Sequence, residues 1–489
     1  MPAFAGMTRV GFRWSREEII SRRASYQKQN VFMRKQAFFR VGALSVLVFM
    51  TLVLSGCGLR DQTTSYVVDL EIWGTFDDSD AYQDAISAYR NLNPHVRITY
   101  RKFPVDTYKQ DILDALAAGN GPDIFMVRNS WTPAFSDKII AAPAEMIDER
   151  TFRDALVDVA ADDFVANGVV LGVPLSVDSL GLYYNKDLLG AAGIPAPPAT
   201  WEEFLDDVRL LTRIDSFGNI TQSGVALGTS ENINRSTDVL NALFLQNGLS
   251  LPLGKSAPVH LGTSVGSNAL DFYTQFANPT SSLYTWNPRM HYSIDAFYEG
   301  TAAMMVNYSW HYETIKRKNS KLNFATSPLP QLSGKQPFNF ANYWGFVVSK
   351  NKQAPEGTTD RDAFEKARQH ESWEFLKFLA LPNNGTVTLS NAFTGASQSF
   401  STQYDPASDY LTRTKKPAAR RDLAGKQHTD PVFGPFADGN LVARNWYQTD
   451  PESIESILAE AITDVNYGRS NSYQALSTAE NRINQLERK

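Results

Sequence analysis

Cysteine is nearly absent: Cys57 is the one thiol in 489 residues, which excludes an internal disulfide, cysteine-rich metal sites and CxxC redox pairs. Histidine is sparse as well. The six histidines are scattered, with no HExxH pair, so spacing assigns no metal ligand and no cofactor. Long apolar runs are also missing. The one uninterrupted stretch of apolar or small residues, 41–54, is shorter than the roughly 20 residues of a spanning helix, which excludes a polytopic membrane protein. What remains is a globular composition, 43% AVILMFWYC and 20% charged with a net charge of −5. Such a composition excludes wholesale disorder or a collagen-like fibre and predicts two or more domains.

The N-terminus has an order of its own. Arg34, Lys35 and Arg40 precede the apolar run, which ends in Leu54-Ser55-Gly56-Cys57. Basic, apolar, small, then cysteine is the order of a lipoprotein signal peptide, and the last four residues resemble the bacterial lipobox. Residues 33–56 are therefore expected to be cleaved, Cys57 to carry lipid, and 57–65 to form a polar tether. Residues 1–32 fit no signal architecture, and initiation at Met33 is expected. Removing residues 1–56 takes away nine basic and two acidic residues, leaving 38 against 50 and a net charge of −12. No nucleic-acid partner is expected of such an acidic surface.

Further along, Val68, Leu70 and Ile72 alternate with polar residues at the period of a strand. A helix after Ser79 carries Tyr82, Ala85, Ile86 and Tyr89 on one face and stops at Asn93-Pro94. Val96, Ile98 and Tyr100 alternate again, Tyr108, Ile112, Leu113 and Leu116 form a second helical stripe, and an apolar run follows at 124–127. This order predicts an α/β unit with a mainly parallel sheet. A second unit is expected after Gly172-Val173-Pro174, with a strand at Leu180, Leu182 and Tyr184 and a helix opened by a Thr200/Glu203 capping box. Strands are expected at 302–306 and 345–349, and helices at 270–276, around Trp373 to Ala380, and around Ile454 to Ile462. The polar stretches 350–360 and 403–430 read as surface excursions, and Arg413, Lys415, Lys416, Arg420 and Arg421 as a solvated face.

Four segments, ALAAGNGPDIF (115–125), YYNKDLLGAAGIPAPPATW (183–201), FYEGTAAMMVNYSW (297–310) and WEFLKFLAL (373–381), follow the lipobox in order. Together they resemble the solute-binding lipoproteins of ABC transporters, specifically the carbohydrate-binding family that includes the maltose-binding proteins. The likeness runs from about Val67 onward. It implies an α/β, two-lobe periplasmic-binding-protein-like fold with the ligand cleft between lobes: 66–174 plus 331–393 as lobe one, 175–330 plus 394–489 as lobe two. A departure at Phe393-Thr394-Gly395-Ala396-Ser397, where the family carries a proline after its glycine, leaves the third crossover unplaced. The resemblance further implies a monomer that binds a carbohydrate, passes it to permease subunits, and is held through its lipid on the outer face of the cytoplasmic membrane or in the periplasm.

Ligands in open α/β sheets sit beyond the carboxyl ends of strands, and crevices between domains are favoured pockets. The turns at such places hold Asp77, Trp131, Asp178, Asn307, Trp310, Tyr343 and Trp344. Aromatics beside hydrogen-bonding groups suit a sugar, whose C–H face packs on a ring while its hydroxyls need partners. The resemblance matches Trp310 to the family's stacking tryptophan and places Trp446 where a C-terminal helix supplies another. Asp178 and Asp77 are candidate acceptors for hydroxyl pairs. Trp201 and Trp373 fall on helical apolar faces and are assigned to the core. Few basic residues beyond Arg128 stand at these turns, so a neutral sugar is expected. One enzyme motif exists: Gly262-Thr263-Ser264-Val265-Gly266 matches GxSxG, and His291, His311, His370 and His428 follow it. The plainer reading makes Ser264 or Ser267 a helix cap, with no catalytic residue. The alternatives are an exported carbohydrate-active hydrolase and an envelope-binding lipoprotein that does not transport.

Overall fold

A computed structural model describes residues 67–254, 257–350 and 352–486. The expected start at Met33, signal segment 33–56, tether 57–65 and lipidation site Cys57 lie outside the described residues. In β1 (Val68–Gly74) the alternation is realised, with Val68, Leu70 and Ile72 buried and Asp69 exposed. α1 (Asp80–Leu92) turns Tyr82, Ala85 and Tyr89 inward, and α2 (Val105–Ala117) does the same with Tyr108, Ile112 and Leu116. β1 pairs in parallel with β2 (Val96–Lys102) and β3 (Ile124–Arg128), Val68 opposite Val96 and Ile72 opposite Ile124.

The first sheet is mixed rather than mainly parallel. On the far side of β3 lies the strand Trp344–Ser349, antiparallel, and Ile139–Ile140 and Gly172–Val173 pair antiparallel with it in turn. The parallel expectation holds for the three strands joined by local helical crossovers; a strand returning from far along the chain is under no such constraint. The second sheet has Gly181–Asn185 flanked antiparallel by Met304–Asn307 and Phe324–Pro328. Its helix Trp201–Leu211 opens with the expected capping box, Thr200 Oγ1 accepting from the Glu203 N–H at 3.2 Å. The helix Ser236–Asn247 is buried on nearly every side.

Two hydrophobic cores follow, and they place the crossings. The first takes residues through Val177, resumes at Ala341 and continues to Ala443. The second begins at Leu180, includes Leu329 and Phe340, and ends with Trp446 to Ile483. Segment 394–443, expected in lobe two, thus feeds Ala407, Tyr410, Leu411, Leu423 and Ala437 into the first core, while 331–340 stays with the second. The doubtful segment around Phe393 is no crossover. It is the turn of a hairpin between Thr386–Ser390 and Ser397–Ser401. The third crossing lies near Ala443–Arg444, which pairs in parallel with Asn339–Phe340. Side-chain amides knit the crossings together: Asn339 Nδ2 donates to Leu180 O at 2.7 Å, and Asn440 Nδ2 to Val177 O at 2.6 Å.

Two other expectations are corrected by the same packing. The stretch 403–430 is not a surface excursion, because it holds the helices Pro406–Thr414 and Arg421–Gln427, whose few apolar residues all face inward. Its cations are mostly not a solvated face: Arg413 pairs with Asp84 and Asp409, Lys416 with Asp77, Arg420 with Asp405 and Asp422, and Arg421 with Asp158. The cap of helix Ser264–Thr274 is Thr263, whose hydroxyl accepts from the Gly266 N–H at 3.1 Å; Ser264 is the first helical residue. The glycines of the GxSxG match are explained by close approach, since a Cβ on Gly266 would stand 2.1 Å from Leu261 O and one on Gly262 2.4 Å from Ser477 Oγ. Among the described residues no helix is long and apolar enough to cross a membrane.

Candidate functional site

Between the two cores lies a cavity of about 380 Å³, within the range of small-molecule pockets. Lobe one contributes Phe76 from the turn after β1, Tyr343 and Trp344 at the start of the strand Trp344–Ser349, and Tyr410 with Lys415 and Lys416 from the end of helix Pro406–Thr414. Lobe two contributes Ser309 and Trp310, just past the strand Met304–Asn307, together with Arg235 and Glu313; Asp178 stands on the first crossing. Trp310 is 40% exposed, and one face is backed by Tyr308, ring centroids 4.4 Å apart and 17° from parallel. Trp344 meets Phe76 edge to face at 5.4 Å. Two aromatic surfaces from different lobes thus border one space.

The sequence-derived candidates separate into those that line this cavity and those that do not. Trp310, Trp344, Tyr343 and Asp178 line it. The Tyr343 hydroxyl is committed to Asp163 Oδ2 at 2.6 Å. Asp77 lies behind the wall: its carboxylate accepts from Lys416 Nζ at 2.6 and 2.7 Å and from the Tyr410 hydroxyl at 2.8 Å. Trp131 packs edge-on behind Trp344 at 4.9 Å and donates to Glu452 Oε1 at 2.8 Å. Asn307 is fully buried, donating to Asn234 Oδ1 at 3.1 Å. Trp446 is 5% exposed in the second core, its indole N–H on Asn241 Oδ1 at 3.0 Å. It borders a separate, more polar cavity of about 480 Å³ with Asp163, Leu253 and Gln448.

Backbone strain distinguishes the first cavity. Among the described residues five non-glycine residues have positive φ: Phe76, Asn167, Arg235, Asn384 and Lys415. Asparagine tolerates that region. The other three, at φ 63°, 62° and 54°, all line the cavity that holds Trp310. Strain of this kind collects at ligand sites, where the surroundings over-determine the backbone. Phe76, Arg235, Lys415 and Lys416 were missed from sequence, and a left-handed residue that is not Gly or Asn leaves no local signal to find.

Electrostatics around the cavity are set by burial. Asp178 accepts from the Ser309 N–H at 3.0 Å and the Ser309 hydroxyl at 2.6 Å, yet burial pushes its carboxyl up to about 7. Burial likewise raises Asp163 to about 6, against donors from Tyr343, Asn445 and Asn129. Burial, helped by the nearby Arg235 charge, lowers His311 to about 4, so its imidazole is neutral. For Lys416 burial acts downward, but Tyr410 and Asp77 outweigh it and hold the ammonium charged. Among the described residues no cluster of His, Cys, Asp or Glu is placed to hold a metal ion.

Comparison with known proteins places this architecture. Structures similar to the chain include the cyclic α-maltosyl-1,6-maltose binding protein of Arthrobacter globiformis, TM-score 0.68 at 18% identity over 86% of this chain and 99% of that one. The sugar-binding protein MalE of Xanthomonas citri gives TM-score 0.66 at 17% identity, covering 86% and 97%. A galactooligosaccharide-binding protein of Bacillus subtilis is 22% identical over 70% of this chain and 82% of its own length. A binding protein of Brucella abortus is 27% identical over 26% of this chain, a match that spans only 31% of that relative. The model of the bacterial extracellular solute-binding proteins matches residues 73–385, and with two lobes around an aromatic cleft the chain belongs to that family.

Proposed function

We propose that this chain is the substrate-binding component of an ABC importer, anchored through lipid on Cys57 at the outer face of the cytoplasmic membrane or in the periplasm, and that it captures a saccharide between its lobes. The observation that carries this reading is the solvent-facing indole of Trp310 at the mouth of a lobe-two strand, bordering one cavity with Phe76 and Trp344 of lobe one. A flat ring backed by Tyr308 accepts the C–H face of a pyranose, and the exposed Lys415 and Glu313 of the same lining offer a donor and an acceptor to hydroxyls. Ligand held by both lobes favours the closed arrangement, a hinge movement about the crossings near Leu180, Phe340 and Ala443. Relatives named for maltodextrin and galactooligosaccharide binding support the ligand class. Release of an unaltered ligand to a permease calls for no transition-state stabilisation, and Ser264, the single nucleophile-like motif residue, does not line the cavity.

A thermal-shift screen of the purified protein against saccharides, polyols and sugar phosphates tests the reading, because a ligand that binds only the native state raises the melting temperature. A shift with at least one saccharide, with the sugar recovered intact by chromatography, is the expected result. Turnover of the sugar sinks the importer reading in favour of a hydrolase. Absence of any saccharide shift removes the sugar assignment.

A further inference from the structure

The charged groups that line the cavity are not all partnered. Lys416 is paired with Asp77, and the Asp178 carboxylate has its hydrogen bonds from Ser309. Arg235 differs from both. Its guanidinium makes no hydrogen bond or ion pair to any described residue, its Nε is shut off from solvent without an acceptor, and its centre lies 5.8 Å from the Trp310 ring centroid. An arginine cannot shed its proton, so a shielded donor here stays charged and calls for an acceptor. Lys415, exposed on the opposite wall, likewise has no ion-pair partner among the described residues, and the lining carboxylates Asp178 and Glu313 form no ion pair with it or with Arg235. The shielded Arg235 donor is thus left without an acceptor, whatever the total charge of the lining. Both cations sit at left-handed backbone positions, a conformation that costs energy and persists where the surroundings impose it.

We propose that the saccharide taken by this cleft carries a carboxylate, as a uronic-acid unit does, with the carboxylate on the Arg235 guanidinium and a sugar ring on Trp310. This rests on the reading of the cleft as a sugar site. A guanidinium fork matches a planar carboxylate through two parallel N–H···O bonds. The sequence pointed to a neutral ligand because few cations stood at the candidate turns. The fold brings Arg235 and Lys415 there from segments outside those turns.

The test is calorimetric titration of the full chain with two matched pairs, digalacturonate with galactobiose and cellobiouronic acid with cellobiose, and with galactose 6-phosphate as a third arm. The acidic member of at least one pair is expected to bind about tenfold or more tightly than its neutral partner, weakening as salt rises. Arg235→Asn, asparagine being tolerant of left-handed backbone, is expected to erase that preference, weakening the acidic member about tenfold more than its neutral partner. The melting temperature of the unliganded variant checks its fold; should the variant fail to fold, the wild-type preference and its salt dependence decide. Neutral members that bind equally or better overturn the inference and leave the sugar reading standing, as does a variant that weakens both members alike. Tightest binding by galactose 6-phosphate also overturns it, in favour of a phosphate site. Binding by none of these, together with silence across the saccharide screen, removes the sugar reading itself.

Discussion

Two tryptophans with equal standing in the sequence have opposite fates in the fold, and the difference is one of exposure: 40% for Trp310 and 5% for Trp446. Trp310→Ala removes a ring that faces the cavity, beside Arg235, rather than a core. It is expected to weaken saccharide binding by about 1–3 kcal/mol, roughly 5- to 150-fold, with little change in melting temperature. Trp446→Ala removes a core side chain and orphans Asn241 Oδ1; it is expected to cost about 3–5 kcal/mol of stability, with the affinity of the folded fraction altered far less. Calorimetry and denaturant unfolding on the two variants separate these outcomes, and the reverse pattern would move the site to the cavity beside Trp446. A similar contrast holds one helix away. Thr263→Ala deletes a cap bond and is expected to cost about 0.5–2 kcal/mol, whereas Ser264→Ala, at an exposed first-turn position, should cost less than about 0.5 kcal/mol.

At the scale of elements, the helix Pro406–Thr414 shows what a charged segment can conceal. Ala407, Tyr410 and Leu411 lie at i, i+3 and i+4 and enter the first core, while Lys416 just beyond closes on Asp77 at the end of β1. Replacing Lys416 by Met leaves the mostly buried Asp77 carboxylate with only the tyrosine hydroxyls. The expected loss is about 1–3 kcal/mol, with faster hydrogen exchange in the amides of 407–424 and little change in β3; uniform protection would show that the ion pair does not anchor the segment. The same helix marks how far the sequence could be read. β1, β2, α1 and α2 were legible because each carries its own complete apolar period. Residues 403–430 were not, because a few inward residues among many charges give too weak a period, and the partners of Arg421, Lys416 and, in part, Arg413 lie more than 250 residues away. Strand direction in the second sheet and the crossing at Ala443 are set by tertiary pairing, to which no local pattern corresponds. Of the site, Trp310 and Asp178 were legible as turn residues beside strands. Arg235 and Lys415 owe their place to an imposed backbone conformation.

For the whole molecule, pH dependence follows from buried carboxyls that lack a full ionic partner. Burial raises Asp178 and Glu371 to about 7 and Asp163 to about 6. A carboxyl whose folded pKa exceeds its unfolded value keeps its proton longer in the native state, so its contribution is complete at acidic pH and is lost as pH rises through the folded value. His311, lowered to about 4 by burial, works the other way, mainly below its unfolded value near 6.5. Between about pH 6.5 and 8 its folded form is neutral and its unfolded form loses the last of its charge, an opposing share smaller than that of the two carboxyls near 7, which set the slope. Each group near 7 then costs on the order of 1 kcal/mol across that interval. Asp158 and Asp422, held low chiefly through arginine contacts that outweigh burial in the first case and lead in the second, lose their contribution only in strong acid. Stability is therefore expected to fall from pH 6.5 to pH 8. Asp178→Asn, which keeps an acceptor for Ser309 and removes the titration, should flatten the fall and leave the variant more stable than wild type at pH 8 relative to their difference at pH 6.5. Urea unfolding at both pH values measures this directly. A wild-type stability that rises over the interval, or an unchanged slope in the variant, would mean that Asp178 reaches solvent in the folded state, which would place it on the open surface of the cleft rather than in the seam beside the first crossing.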